Sequence, residues 1–399
     1  MTDFYSLSRL GFAALALMVA PAAAAEPQFD AAGCAVDYAP GVDYFADKAA
    51  VEQAGNFSVA YFENYKIVTV ADADMGGTAE TVVLVQCGTP APDLGPDYAD
   101  VPRVTIPVRS LFAGSTSLNP ALVAVDGVAA LTGVAQRDYL ATPQIVARAA
   151  DEGVVEYAPA GITNVEAVVA ARPDVVMVAQ AGEAEMQRVA QTSIAVVTYA
   201  DWLESSPLGR AEWVKFLSLF FNAEAKANQA FAEVADNYAT ALALTEGIGA
   251  DERPQVLSGQ AFGGIFYAAG GRSFMAELIR DAGGAYVFDD NASTGSFQIH
   301  DLEQLVVPAR QAAFWVQASM QYQTLADIAA DDPRLAALPA AKAGQVWMPD
   351  ALKGPNGGVQ FYELGNMRPD LVLMDLISIV HPQLVPDHQR VFYRSIARD

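Results

Sequence analysis

Histidine is scarce in this chain, with three in 399 residues, and basic residues number 23 against 47 acidic ones. A bare-metal receptor needs several imidazoles and carboxylates converging on one ion, and His300, His381 and His388 are too few and too scattered. The formal net charge of −24 argues against nucleic acid and anionic lipid as partners, because both select positive surface. Catalytic fingerprints are missing as well. There is no His-Glu-x-x-His, no Gly-x-x-x-x-Gly-Lys-Ser/Thr loop, and no Gly-x-Gly-x-x-Gly following a strand. Ser115, in Gly114-Ser115-Thr116, lacks the Gly-x-Ser-x-Gly elbow of a nucleophilic serine. These absences argue against a bare-metal receptor and against the common enzyme classes, and no resident cofactor or metal is expected. An exported α/β hydrolase remains the alternative, since triads are defined by geometry rather than by order.

Long apolar runs are also lacking beyond the first residues. Arg9 precedes an apolar stretch over 11–20 and the alanines 22–25, the order of a secretory leader cleaved near residue 25. The stretch is too short to span a bilayer, which takes about 20 apolar residues. Removing the leader deletes Asp3 and Arg9 and leaves the charge unchanged. A soluble, exported protein is expected. Cysteine occurs twice, at Cys34 and Cys87. An exported compartment favours a bridge between them, worth about 4 kcal/mol for a loop of this length. The alternatives are free thiols, or a lipid attached at Cys34 after Ala31-Ala32-Gly33, which Glu26 and Asp30 disfavour.

What is present reads as two similar halves. Residues 57–61, 66–70 and 81–85 form strands of a β-rich extension over 26–100, and a strand at 104–108 begins an alternation of strands and helices. Helices are expected at 120–130, 165–171 and 186–191, with strands at 174–178 and 194–198. Between Arg210 and Glu246 there is neither glycine nor proline, and Asn222 divides this stretch into helices 207–221 and 223–245. The second is long enough to join two lobes. Strands at 255–258, 312–316 and 346–347 follow, with helices at 273–282 and from 374. The expected organisation is a leader (1–25), an N-terminal lobe (26–221), a connecting helix (222–248) and a C-terminal lobe (249–399). The fold class is α/β: two Rossmann-like lobes with parallel-rich sheets, one long joining helix and a β-rich extension.

The halves repeat a unit. Asn164-Val165-Glu166 leads to Arg172-Pro173-Asp174 and Val175-Val176-Met177-Val178; Asp301-Leu302-Glu303 leads to Ala309-Arg310-Gln311 and Ala312 to Val316, 137 residues later. Each is a cap, a first-turn glutamate, a short helix and a buried strand. A glutamate there complements the helix dipole, but a matched pair implies equivalent places on two lobes. On these residues the chain resembles the periplasmic binding proteins of ABC importers that carry ferric siderophores, cobalamin and haem, over roughly 100–399. The second unit departs from the family's Arg-Pro-Asp at Ala309-Arg310-Gln311. The stretch Arg368-Pro369-Asp370 with His381-Pro382 is similar to one subgroup. The resemblance implies a monomer that hands its ligand to an ABC-transporter permease, docking through Glu166 and Glu303.

Ligands of open α/β sheets lie outside the carboxyl ends of the strands. The candidates there are Ser115, Thr116, Tyr139 and Trp202 in the first half, and Phe262, Phe266, Tyr267, Arg272, Asn356 and Tyr362 in the second. Rings beside glycines suit a bulky rigid molecule, and an arginine suits an anionic group; core packing is the competing explanation for each ring. The ligand reading puts a ferric siderophore first, then cobalamin or haem. A single connecting helix implies modest closure.

Overall fold

The computed structural model describes residues 26–396, so the leader lies outside the described residues. Among the described residues no helix is long and apolar enough to cross a membrane.

The first half carries a five-stranded parallel sheet, in the order Ala195–Thr198, Val175–Val178, Leu111–Ala113, Leu131–Val134, Val155–Glu156. Every residue of the first three strands is buried, as a sheet covered by helices on both faces demands. The second half carries a seven-stranded sheet. Its parallel strands are Ala285–Tyr286, Gln255–Phe262, Phe314–Val316 and Val346–Met348; Ile265–Ala269, Ser296–Ile299 and Arg394–Ser395 complete it at the flanks. Two Rossmann-like lobes are therefore present.

The helix Glu224–Ala243 joins them; its 20 residues span about 30 Å. Asn222, left-handed at φ 52°, ends the preceding helix Pro207–Ser218 where the sequence placed the break. One apolar stripe serves both lobes: Phe231 and Val234 pack in the first core, Tyr238 and Ala241 in the second.

Several sequence expectations need correction. The strand expected at 104–108 is Arg103–Ile106, and it does not start the lobe. It lies parallel to Glu80–Gln86 and completes a four-stranded sheet with Phe57–Tyr61 and Tyr65–Val70. The lobe starts at Leu111–Ala113, too short to stand out as a periodic signal. The helix at 120–130 is only Asn119–Ala124, because Asp126 turns left-handed at φ 58°. The last long helix begins at Pro369, not 374, with proline in its first turn where no N–H is needed.

The extension is not a separate body. Phe57 meets Trp213 and Phe216 at ring separations of 5.1 and 5.4 Å, and its strands share the first lobe's core. Two buried carboxylates strap residues 52–56 to the lobe. Glu212 accepts from the N–H groups of Glu52, Gln53 and Ala54 while paired with Lys215 at 2.7 Å; Glu204 accepts from Gly55, Asn56 and the Trp213 indole. Lys66, fully buried, is paired with Glu224 in the connecting helix's first turn. Cys34 and Cys87 are bridged, fastening the N-terminal hairpin to this sheet and leaving no thiol for a lipid.

Candidate functional site

In a parallel α/β layer each helix runs against the strands, so loops after strands and helix beginnings share one end of the lobe. In the first lobe that end is formed by residues 114–117, 135–139, 179–180 and 199–203. In the second it is formed by residues 317–320 and 349–359, and by a hairpin. Pairing of Gln255–Phe262 with Phe314–Val316 stops at Ser258, and the strand runs on to Phe262, turns at Gly263-Gly264 and returns as Ile265–Ala269. The hairpin thus overhangs the strand ends.

A helix in the second half closes the floor between them. Gln360–Met367 packs against Thr116–Leu118, Asn119–Ala124 and Pro207–Ser218 of the first lobe. Its Glu363, with no exposed surface, accepts from Asn119 Nδ2 (3.2 Å), from the N–H groups of Ala141 (3.0 Å) and Thr142 (2.7 Å), and from the Thr142 hydroxyl. Burial raises the Glu363 carboxyl above the usual range, opposed by those donors. Beside it, the 354–358 turn lies on the backbone of Tyr139 and Leu140; a Cβ at Gly358 would sit 2.2 Å from the Tyr139 carbonyl oxygen. Only glycine permits that approach.

The sequence-chosen residues divide under this geometry. Ser115, Thr116 and Tyr139 line one small pocket with Asn119 and Gln136. Tyr139 is 60% exposed, Phe262 at the hairpin tip 66%, and Tyr362 in the floor helix 44%. Asn356 lies exposed in the turn that touches Tyr139. Trp202 is half-buried, its indole donating to the Ala179 carbonyl at 3.2 Å. Phe266 is different: it is fully buried with its ring 6.0 Å from that of Trp315, a core residue rather than a cleft residue. Tyr267, half-buried, stands mid-strand between Gln260 and Gln298, because a hairpin occupies what the sequence suggested was a loop. Arg272 is exposed on the turn before the helix Phe274–Asp281.

Sequence reasoning missed the polar floor. Asp201, buried, accepts from Ser117 Oγ (3.0 Å) and from Asn366 Nδ2 (3.4 Å). Arg210 donates to the Trp202 and Glu204 carbonyls and stacks over Phe274, 3.6 Å from the ring centroid. Asn119, also missed, has an unpartnered Oδ1 in the pocket with Ser115. None belongs to a motif; the partners of Asp201 and Asn119 are 84 to 244 residues away in sequence.

Burial pushes the Asp201 carboxyl up to about 6, with Arg210 pulling the other way. An acid whose folded pKa exceeds its unfolded one binds its proton more tightly when folded. The resulting stability is complete below the ordinary value of 3.8 and lost as pH rises through about 6. Urea unfolding of Asp201→Asn should therefore show the variant gaining on the parent between pH 4 and 7; parallel profiles would contradict this assignment.

Comparison with known proteins fits this architecture. Residues 113–351 match the model of the periplasmic binding protein family. The chain belongs to that family. Family members bind solutes and do not turn them over, so this periplasmic-binding-protein chain is a binding protein and not a hydrolase. Two uncharacterized lipoproteins of Methanocaldococcus jannaschii are 26% and 24% identical over 61% of this chain; the chain spans 56% and 62% of their lengths. Among solved structures, a periplasmic heme binding protein from Pseudomonas aeruginosa is similar at TM-score 0.53 and 20% identity, covering 73% of this chain and 98% of its own. A possible iron-binding (periplasmic solute-binding) protein from Staphylococcus epidermidis gives 0.53 and 14%, with 69% and 99% covered. A periplasmic binding protein from Veillonella parvula gives 0.56 and 11%, with 82% and 98% covered. At these identities the structural likeness is one of fold. The periplasmic binding protein model begins at the first lobe's first strand, so the extension over 26–106 lies outside it.

Proposed function

We propose that this chain captures a bulky organic chelate in the periplasm and delivers it to the permease of an ABC importer. A ferric siderophore is the first choice, with cobalamin or haem as the alternatives. The carrying observation is three exposed rings, Tyr139, Phe262 and Tyr362, at the strand ends of the two halves. Large exposed aromatics give contact area at small entropy cost, and a rigid chelate presents the matching surface. No cluster of three or more His, Cys, Asp or Glu suited to a metal occurs among the described residues, so a metal travelling inside its own organic ligands suits this site better than a bare ion.

The proposed division is a leader (1–25), a first lobe with its extension (26–221), a joining helix (222–248) and a second lobe (249–399), acting as a monomer. Permease docking falls to Glu166 and Glu303. Both are exposed in the first turns of the helices Val165–Ala171 and Leu302–Ala309, each leading into a strand of its lobe's parallel sheet. By the layer rule both lie at the cleft end, where two anionic points suit cationic partners.

Protein purified from its native periplasm should be coloured by its ligand. Glu166→Arg with Glu303→Arg should cut uptake at least tenfold and leave ligand affinity unchanged. Loss of affinity would overturn the docking assignment, and a colourless protein that binds no chelate would overturn the ligand class.

A further inference from the structure

A cavity of about 960 Å³ adjoins the strand-end cleft, with Trp202 and Leu203 of the first lobe's strand-end loop in its wall. Three parts of the chain line it: Asn56, Asp72 and Met75 from the extension, Trp202 to Ser205 and Arg210 from the first lobe, and Ala269, Ser273 to Met275 and 293–296 from the second. Trp202 connects it to the cleft, because its indole bonds to Ala179, which lines a pocket of about 200 Å³ at the first lobe's strand ends. We propose that this cavity is the chamber for the ligand's body, and that Met75 on the extension's 72–77 loop is a specificity-determining contact. The proposal rests on the binding-protein reading above.

The loop is built to hold Met75 outward. Asn56 clamps its base, donating to the Asp72 carbonyl and accepting from the Asp72 N–H, both at 2.8 Å. Asp72 and Asp74 side chains then accept from the N–H groups of Asp74, Gly77, Gly76 and Thr78 within the loop. At the tip Met75 is 66% exposed and left-handed at φ 63°. An unbranched thioether held out in this way lines a cavity that also holds Trp202, Phe274 and Met275. Thioethers adapt to rigid apolar surfaces that aromatics alone cannot match.

The lining also sets the ligand class. Its charged side chains are Asp72, Glu204 and Arg210. Glu204 already accepts three hydrogen bonds, and Arg210 is engaged with backbone carbonyls and Phe274. The lining adds the hydroxyl side chains of Ser205, Ser273, Ser293, Thr294 and Ser296. Apolar area with a hydroxyl edge fits an amphipathic, rigid organic molecule of low net charge, and the volume lies at the upper end of ordinary ligand sites.

Methyl-labelled methionine gives a direct readout, with Met75 and Met275 assigned through Met75→Leu and Met275→Leu. The probes are cyanocobalamin, haemin and a ferric trihydroxamate, titrated into the wild-type chain. At least one should bind and shift both methyl resonances, and Met75→Asp, an exposed change that leaves the core intact, should weaken that binding at least tenfold. Binding that leaves both methyls unmoved, or is indifferent to Met75→Asp, overturns the chamber while the cleft reading stands. Binding of none of the three overturns the ligand class and the chamber with it.

Discussion

Replacing Glu212 with alanine is expected to destabilise the protein by about 5 kcal/mol, the largest single loss among the buried carboxylates. Two costs add. Lys215, 6% exposed at its side chain, loses its partner at 2.7 Å and keeps a buried charge answered by the Ala50 carbonyl and by the Phe231 ring, 4.3 Å away. The N–H groups of Glu52, Gln53 and Ala54 lose their common acceptor in a half-buried strap. The strap carries the extension onto the lobe, so the damage should spread to residues 55 and 56, which Glu204 holds next to it. Denaturant unfolding measures the loss. Glu212→Gln, which keeps an acceptor but no charge, should recover part of it. A change of less than about 1 kcal/mol for the alanine variant would mean that the strap is solvated and contributes little.

Glu363→Ala should cost about 4 kcal/mol, chiefly from buried donors left unpaired on Asn119, Ala141 and Thr142. Its consequence differs from that of Glu212, because Glu363 joins the two halves of the chain. The connecting helix alone leaves the lobes linked by one element; the floor helix and the 354–358 turn add a second attachment. With both in place, ligand binding should change the radius of gyration little. In the alanine variant, small-angle scattering should show a larger difference between free and ligand-bound protein. Equal differences in parent and variant would remove Glu363 from the control of closure.

The glycine-free and proline-free stretch and Asn222 made the joining helix legible, because helix continuity and its interruption are local properties. The matched units around Glu166 and Glu303 were legible for the same reason: a cap, a helix and a buried strand each leave a periodic trace. Leu111–Ala113 was missed, being three residues in a sheet fully covered by helices, where no alternation distinguishes strand from loop. Phe266 was misread because a glycine pair beside aromatics suggests a loop, while here Gly263-Gly264 is a hairpin turn that returns Phe266 to the core. The Asp201, Glu204 and Glu363 contacts were invisible, since each joins segments that only the tertiary fold brings together. The bridge between Cys34 and Cys87 was favoured from the compartment, and the fold supplies it.

Two lobes present their strand ends to one shared hollow, which is where the ligand is proposed to sit. Amide hydrogen exchange with and without bound chelate tests this most directly. Protection should rise together in residues 114–117, 135–139 and 199–203 of the first lobe and in 260–265 and 354–362 of the second, and not around Glu166 or Glu303. Protection confined to one lobe, or centred on the helices Val165–Ala171 and Leu302–Ala309, would contradict it.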